Sequence, residues 1–392
     1  MRLLTDTGPT LSDHETTYGQ LSLPPRVQLL DAVEAAGLLG RGGAGFPTAR
    51  KMRTVGAGKD PVVLGNACEG EPASGKDAAL LSRHPHLVLD GLDVAAHAVG
   101  ATARHLAVHA GSPALPVLRA ALRERRAPIT LHEVPARYTA SEETALVRFV
   151  NTGTAKPMFT PPRPFEQGIG RKPTLVQNAE TLAHLALIAR RGPAWFRELG
   201  DAEEPGTQLL TVDGTVVEVP TGQPLRAVAD LRGAQAVLVG GYFGTWLSLA
   251  QAKETTLTHR DLRAAGGALG AGIVLTLPRA SCGLVETARV ATYLANENAG
   301  QCGPCLNGLP AIAGAVRSLA VGPWDDSTMA SLDRWLGVVA GRGACRHPDG
   351  AVRFVLSALA VFADDVASHR AGRPCAGAQA PPVLPVPRRA AA

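Results

Sequence analysis

The stretch Gly40-Arg41-Gly42-Gly43-Ala44-Gly45-Phe46-Pro47-Thr48 constrains this chain more than any other. Four glycines and an alanine within six residues give a hydrophobic core nothing to bury. What they offer is backbone. Without Cβ atoms the chain bends through conformations that other residues avoid, and its peptide groups can approach a phosphate or a flat ring closely. A glycine run alone is a weak signal for a cofactor, so the segments that accompany it decide its meaning.

With 392 residues the chain can form two or three domains and bury a large core. A net charge of only +5, spread along the sequence and without basic blocks interleaved with aromatics, argues against nucleic acid as a partner. No apolar run reaches membrane-spanning length; the best candidate, Gly266 to Leu277, is short and glycine-rich. The opening residues meet Asp6 at once and lack an apolar stretch, so no secretory signal is expected and the cytoplasm is the expected compartment. Six cysteines in such a chain do not suggest a disulfide framework. Two of them form Cys302-Gly303-Pro304-Cys305, a spacing that points to metal or redox chemistry.

Patterning divides the chain. Residues 1–24 read as a loose leader. Helices are expected over Val27 to Leu39, His86 to Val99 and Asn178 to Arg191, and strands over Pro61 to Asn66, Ala103 to His109 and Ile129 to Val134. This alternation predicts an α/β domain with a mostly parallel sheet over residues 25–204. A hairpin (Thr207 to Val212, Thr215 to Pro220), a helical stretch from Leu225 to Leu231 and a strand from Ala236 to Val239 predict a small α+β unit over 205–283. Apolar residues at helical spacing fill 284–370, and the Pro-rich remainder, 371–392, reads as a disordered tail.

Four further segments carry chemistry. Asn66-Ala67-Cys68-Glu69-Gly70-Glu71-Pro72 follows a strand, where parallel sheets place their ligand crevice, and its polar groups suit ribityl or ribose hydroxyls. In Tyr138-Thr139-Ala140-Ser141-Glu142-Glu143, Ser141 is placed to cap a helix whose first turn carries two glutamates. Val176-Gln177-Asn178-Ala179-Glu180-Thr181 puts Asn and Thr at a helix N-terminus, a natural phosphate site. Cys302 and Cys305, with Cys345 some way beyond, suit an iron–sulfur cluster or zinc. No hydrolase-like order of Ser, His and Asp stands out.

In this order the segments resemble the family of flavin-binding, NADH-oxidising subunits of respiratory complex I, whose module also occurs in NAD-linked hydrogenases and formate dehydrogenases. The resemblance spans roughly residues 30–365. It implies a Rossmann-like α/β domain holding FMN, then a β-grasp (soluble-ligand-binding) domain, then an all-α iron–sulfur helical bundle. It further implies that Gly40, Arg41, Gly42, Gly43, Lys51, Asn66, Glu69, Glu71, Tyr138, Glu142, Glu143, Val176, Gln177 and Asn178 line the flavin site, with Phe46 facing the nicotinamide. Cys302, Cys305 and Cys345 would hold a [4Fe–4S] or [3Fe–4S] cluster. The implied activity is hydride transfer from NADH to FMN, then single electrons to the cluster and on to a ferredoxin-like or other iron–sulfur protein in a larger redox complex. No side chain is expected to act as a covalent catalyst.

The chain departs from that family in several places. Cys68 stands where the family has Asp. Thr160-Pro161-Pro162-Arg163-Pro164 replaces Lys-Pro-Pro-Phe-Pro. Ala299 occupies the first cluster-ligand position, and Leu306 replaces an Arg. The Thr160 and Arg163 changes favour an alternative in which flavin and cluster pass electrons without NADH; Cys68 and Ala299 favour a non-catalytic scaffold.

Overall fold

A computed structural model describes residues 2–126, 128–322 and 326–387. The chain forms two compact units: Met1–Gly70, Ser74–Thr211 and Thr215–Gln223 make the first, and Glu71–Ala73, Val212–Gly214 and Pro224–Ala392 the second.

In the first unit the helices are α1 (Leu11–Tyr18), α2 (Arg26–Ala36), α3 (Thr48–Gly56), α4 (Lys76–Arg83), α5 (Pro85–Val99), α6 (Leu115–Arg125), α7 (Glu143–Thr152) and α8 (Ala179–Arg197). Strands β1 (Val62–Ala67), β2 (Ala103–His109), β3 (Ile129–Val134) and β4 (Thr174–Asn178) form a parallel sheet ordered β3-β2-β1-β4. Strands β1 and β4 are buried almost throughout, so they show no alternation, whereas the edge strand β3 alternates and leaves Thr130 and Glu133 exposed. Val63, Leu106 and Leu175 pack on the side of α5 and α8, whereas Leu64, Ala107 and Val176 pack with Leu146 and Val147 of α7. Helices α5 and α8 cross so closely that a Cβ on Gly91 would lie 1.9 Å from the Leu182 carbonyl oxygen. Helix α8 outruns its expected end at Arg191 and continues past a break at Gly192, where φ is +79°, and Pro193. Strands β5 (Thr207–Val212) and β6 (Thr215–Pro220) are neighbours and fall almost wholly in this unit.

The expected loose leader is instead packed. Leu3 and Leu4 are buried, and the amides of Arg2, Leu3 and Leu4 all donate to Glu218 Oε2, at 2.7, 2.9 and 3.2 Å. Thr10 caps α1 with a capping box, and His14 of that helix meets Asp90 of α5 at 2.7 Å. Arg125 and Arg190 also bond Asp90. Burial works against the Asp90 carboxylate, but His14, Arg125 and Arg190 outweigh it and draw its pKa from 3.8 to about 2. A depressed carboxyl stabilises the fold above its unfolded pKa, and that stabilisation disappears as pH falls through the folded value. We expect about 2 kcal/mol of stability to be lost between pH ~4 and ~2. An Asp90→Asn variant should flatten that region of an acid-unfolding profile.

The second unit contains α9 (Leu225–Val228), β7 (Ala234–Val239), β8 (Thr245–Ser248), α10 (Leu249–Glu254), α11 (His259–Ala264) and β9 (Ile273–Pro278). Helices α12 (Gly283–Asn296), α13 (Leu309–Val321), α14 (Asp326–Val339), α15 (His347–Val361) and α16 (Ala363–Arg370) follow. Strand β7 lies between β8 and β9 and is antiparallel to both. The glycine-rich Gly266 to Leu277 run thus supplies a strand. No helix among the described residues is long and apolar enough to cross a membrane. Trp246 anchors the core, with its ring centroid 5.2 Å from that of Phe362 and 6.3 Å from that of Phe354.

The segment expected to be a disordered tail is pinned as far as residue 387; 388–392 lie outside the described residues. Val383 and Leu384 amides donate to Glu286, Leu384 is buried, and Tyr242 Oη donates to the Pro385 carbonyl at 2.6 Å.

Candidate functional site

The glycine segment forms a loop closed at its base. Gly40 N donates to Phe46 O and Thr48 N to Leu38 O, each at 2.9 Å. Gly43 has φ +108° and Gly45 +62°, conformations that a side chain would strain. Helix α3 begins directly after the loop, so unpaired amides and the positive end of a helix dipole sit together, as anion sites require. Phe46 is 46% exposed, enough for a planar ligand to reach, with the Arg50 guanidinium 5.6 Å from its ring centroid.

The loop is held from behind by a buried charge network. Arg41 N donates to Thr181 Oγ1 at 2.8 Å, and Arg41 Nη2 to Pro205 O at 3.2 Å. Lys76 Nζ lies 2.6 Å from Glu180 Oε2 and 3.2 Å from the Arg41 carbonyl. Burial disfavours the Lys76 ammonium, but Asp77 and Glu180 more than compensate and raise its pKa, so it stays charged.

Beside the loop are the carboxyl ends of β1 and β4, where Asn66 pairs in register with Asn178 and Gly65 with Gln177. Lys51 of α3 reaches this edge; its Nζ donates to the Val176 carbonyl at 2.9 Å and to Glu143 Oε2 at 3.0 Å. Asn66 Nδ2 donates to Ser141 O at 3.0 Å, and Asn178 caps α8 by accepting from Glu180 N at 3.0 Å. Tyr138, Val176 and Gln177 are buried. The buried atoms Thr48 Oγ1 and Gln177 Nε2 have no hydrogen-bond partner among the described residues, a deficit that a polar ligand would relieve. The loop, the ammonium and these donors suit a flavin with its phosphate.

Several residues sit differently from expectation. Ser141 does not cap α7. It lies in a short turn with its Oγ donating to Tyr138 O, and Glu142 takes the cap, accepting from Thr144 N at 2.9 Å and Ala145 N at 3.1 Å. Serine and glutamate compete locally for the same role, and sequence alone does not rank them here. Glu69 accepts from Ser74 Oγ and from the Asp77 and Ala78 amides, so it serves the start of α4. Glu71 belongs to the second unit, where both carboxylate oxygens take Tyr242 N at 3.0 Å. Burial holds the Cys68 thiol well above its usual pKa, with Asp77 adding to the effect, so it remains neutral.

In the second unit, Cys302 and Cys305 share one turn: Cys305 N and Leu306 N both donate to Cys302 O, at 3.1 and 3.0 Å. Cys305 is buried, while Cys302 and Cys345 are partly exposed. Burial pushes the Cys305 thiol up to about 12, and neighbouring Cys302 and Cys345 push in the same direction. Two sulfurs that oppose the ionisation of a third suit a cationic metal centre. Ala299 is buried beside them, with its amide directed at Cys305. His347, which reads as a solvated loop residue in the sequence, is buried, with Nε2 donating to Leu294 O at 2.8 Å.

Residues 33–187 match the family model of the Nuo51 FMN-binding domain, and 286–369 that of the NADH-ubiquinone oxidoreductase-F iron-sulfur binding region. The F subunit of NADH-quinone oxidoreductase from Salmonella typhimurium is 30% identical, the match covering 86% of this chain and 83% of that protein. This chain belongs to the family of NADH-quinone oxidoreductase F subunits. The second F subunit of Rhizobium meliloti is 29% identical, over 94% of this chain and 96% of its own length. A solved NAD+-reducing [NiFe]-hydrogenase, air-oxidised, superposes with TM-score 0.79 at 30% identity, covering 88% of this chain. This chain spans 64% of that hydrogenase chain. Within this F-type chain, an FMN-binding region precedes an iron–sulfur region.

Proposed function

We propose that this chain oxidises NADH on bound FMN and hands electrons singly, through an iron–sulfur cluster, to an iron–sulfur partner in a larger redox complex. The observation that carries the reading is the convergence of the closed glycine loop, the Lys51 ammonium and the Val176 carbonyl at the carboxyl edge of the parallel sheet. FMN supplies a hydride acceptor that can release its electrons one at a time. The Gly40 and Arg41 amides close the loop, so the glycine amides that follow them would hold its phosphate, and Lys51 offers the positive charge nearest the sheet edge. Arg41 is turned into the protein, so it positions the loop. Glu69, Glu142 and Asn178 are positioning residues too, because their side chains hold helix starts. Phe46 offers its exposed ring to the nicotinamide. Cys302, Cys305 and Cys345 would hold a [4Fe–4S] or [3Fe–4S] cluster, and Ala299 offers no thiol to it. We assign the flavin module to residues 25–204, a β-grasp module to 205–283 and the helical iron–sulfur module to 284–370.

Anaerobic reconstitution with FMN, iron and sulfide, followed by NADH, tests this reading. Rapid bleaching of the flavin absorbance is expected. A bound flavin that stays oxidised with NADH and NADPH would overturn it and favour reduction by a partner protein, the reading to which exposed Thr160 and Arg163 lend support. Lys51→Met should weaken FMN retention by about tenfold or more, the worth of a charged hydrogen bond. Equilibrium dialysis measures this, and the partly exposed site should leave the fold intact.

A further inference from the structure

Outside the flavin and cluster sites, three potential metal ligands converge in the second unit. Cys282 Sγ, His369 Nε2 and Cys375 Sγ all lie within 4.8 Å of one another. Cys282 and His369 are buried, and Cys375 is partly exposed. We propose that this trio is a structural zinc site, with water as the fourth ligand.

Four features of the geometry fit. With Zn–S near 2.3 Å and Zn–N near 2.0–2.1 Å, ligands around a tetrahedral ion are separated by about 3.5–3.8 Å. Cys282 Sγ and His369 Nε2 are 3.7 Å apart. His369 Nδ1 lies 2.9 Å from the Ala320 carbonyl, to which it donates. That bond fixes the tautomer with the Nε2 lone pair facing the sulfurs, the outer contact that metal-binding histidines typically make. Nε2 accepts from Cys375 N at 3.2 Å, a contact that a metal ion would replace at the same lone pair. Cys282 occupies the N-cap position of α12, with the Leu284 and Val285 amides directed at its sulfur, contacts that a metal-bound sulfur would keep. Two thiolates and an imidazole select a borderline-soft ion, and zinc is the common one.

The site would join three separate segments: the start of α12, the end of α16 and the chain that follows. The 3-10 turn Ala376–Gln379 starts at Cys375, and Gly377 packs so tightly that a Cβ there would lie 2.4 Å from the Ser281 carbonyl carbon. An ion at the trio would fix this approach from the side-chain direction.

The full chain, purified after growth with zinc, provides the test. Expected is one zinc per chain that survives mild chelation, with an X-ray absorption shell of two sulfurs near 2.3 Å and nitrogen or oxygen near 2.0–2.1 Å. Cys375→Ser and His369→Ala should each weaken retention by more than about tenfold, whereas Cys302→Ser should leave it unchanged. The absorption measurement needs no variant, so misfolding of one does not blunt the test. Three outcomes would overturn the proposal: no bound zinc, an all-sulfur shell lost in Cys302→Ser, or a Cys282–Cys375 disulfide found by mass spectrometry in freshly prepared protein.

Discussion

Glu180→Ala is expected to destabilise the protein by about 3–5 kcal/mol, the cost of removing one member of a buried ion pair. Glu180 is buried between two cations: Lys76 Nζ is 2.6 Å from one carboxylate oxygen, and Arg41 Nε is 4.0 Å from the other. It also accepts the Leu209 amide at 2.8 Å. Deleting the carboxylate leaves two buried positive charges facing each other and one amide without its acceptor. Glu180→Gln keeps the shape and an acceptor for Leu209 but not the charge, and should fall between wild type and alanine. Urea unfolding of the three proteins gives the ranking. The glycine loop hangs from the same network through the Arg41 carbonyl, so FMN retention should fall in the same order. A loss below about 1 kcal/mol for the alanine variant would mean that the pair is solvated in solution and holds nothing.

The second large effect is expected at Cys305. This sulfur is the buried member of the three, so serine there removes the ligand best shielded from water. Iron and sulfide content should drop by more than about tenfold, because losing a ligand costs more than losing an outer contact. Ala299→Cys should do the reverse. It restores a fourth thiol in a position that is buried and whose amide already faces Cys305. Low-temperature electron paramagnetic resonance of the oxidised and reduced proteins separates a three-iron from a four-iron centre. Equal iron content in wild type and Cys305→Ser would refute the ligand assignment.

Much of the first unit was legible because its strands carry regular apolar patterns, a continuous run at the start of β1 and an alternation in β3. The Ala103–His109 and Ile129–Val134 strands lie where the apolar pattern places them. Strand β9 was hidden because a glycine-rich approach precedes it, and β8 because four residues are too few to show a period. The leader and the late Pro-rich segment misled for another reason. The leader is polar and the late segment Pro-rich, compositions that suggest solvent, yet residues such as Leu3, His14 and Leu384 are buried there, and long-range contacts to Glu218, Asp90 and Glu286 settle their course. At the flavin site, the residue types were readable from the glycine loop and its companions. Which glutamates hold helices rather than face outward was not, since that depends on the amides nearby. The Cys282 trio left one trace: a histidine and a cysteine six residues apart, in a stretch whose composition points to solvent.

The chain passes between its two units after residues 70, 73, 211, 214 and 223, which makes the gene unequal to dissect. A fragment ending at Gln223 keeps every residue of the first unit. A fragment starting at Pro224 loses Glu71, which holds the Tyr242 amide, and Asp213, which holds the amide and hydroxyl of Thr276. The flavin half should therefore be expressible alone, whereas the cysteine-bearing half needs short pieces translated long before it. During synthesis on the ribosome, that dependence sets an order: the second half can finish folding only while the first is still attached.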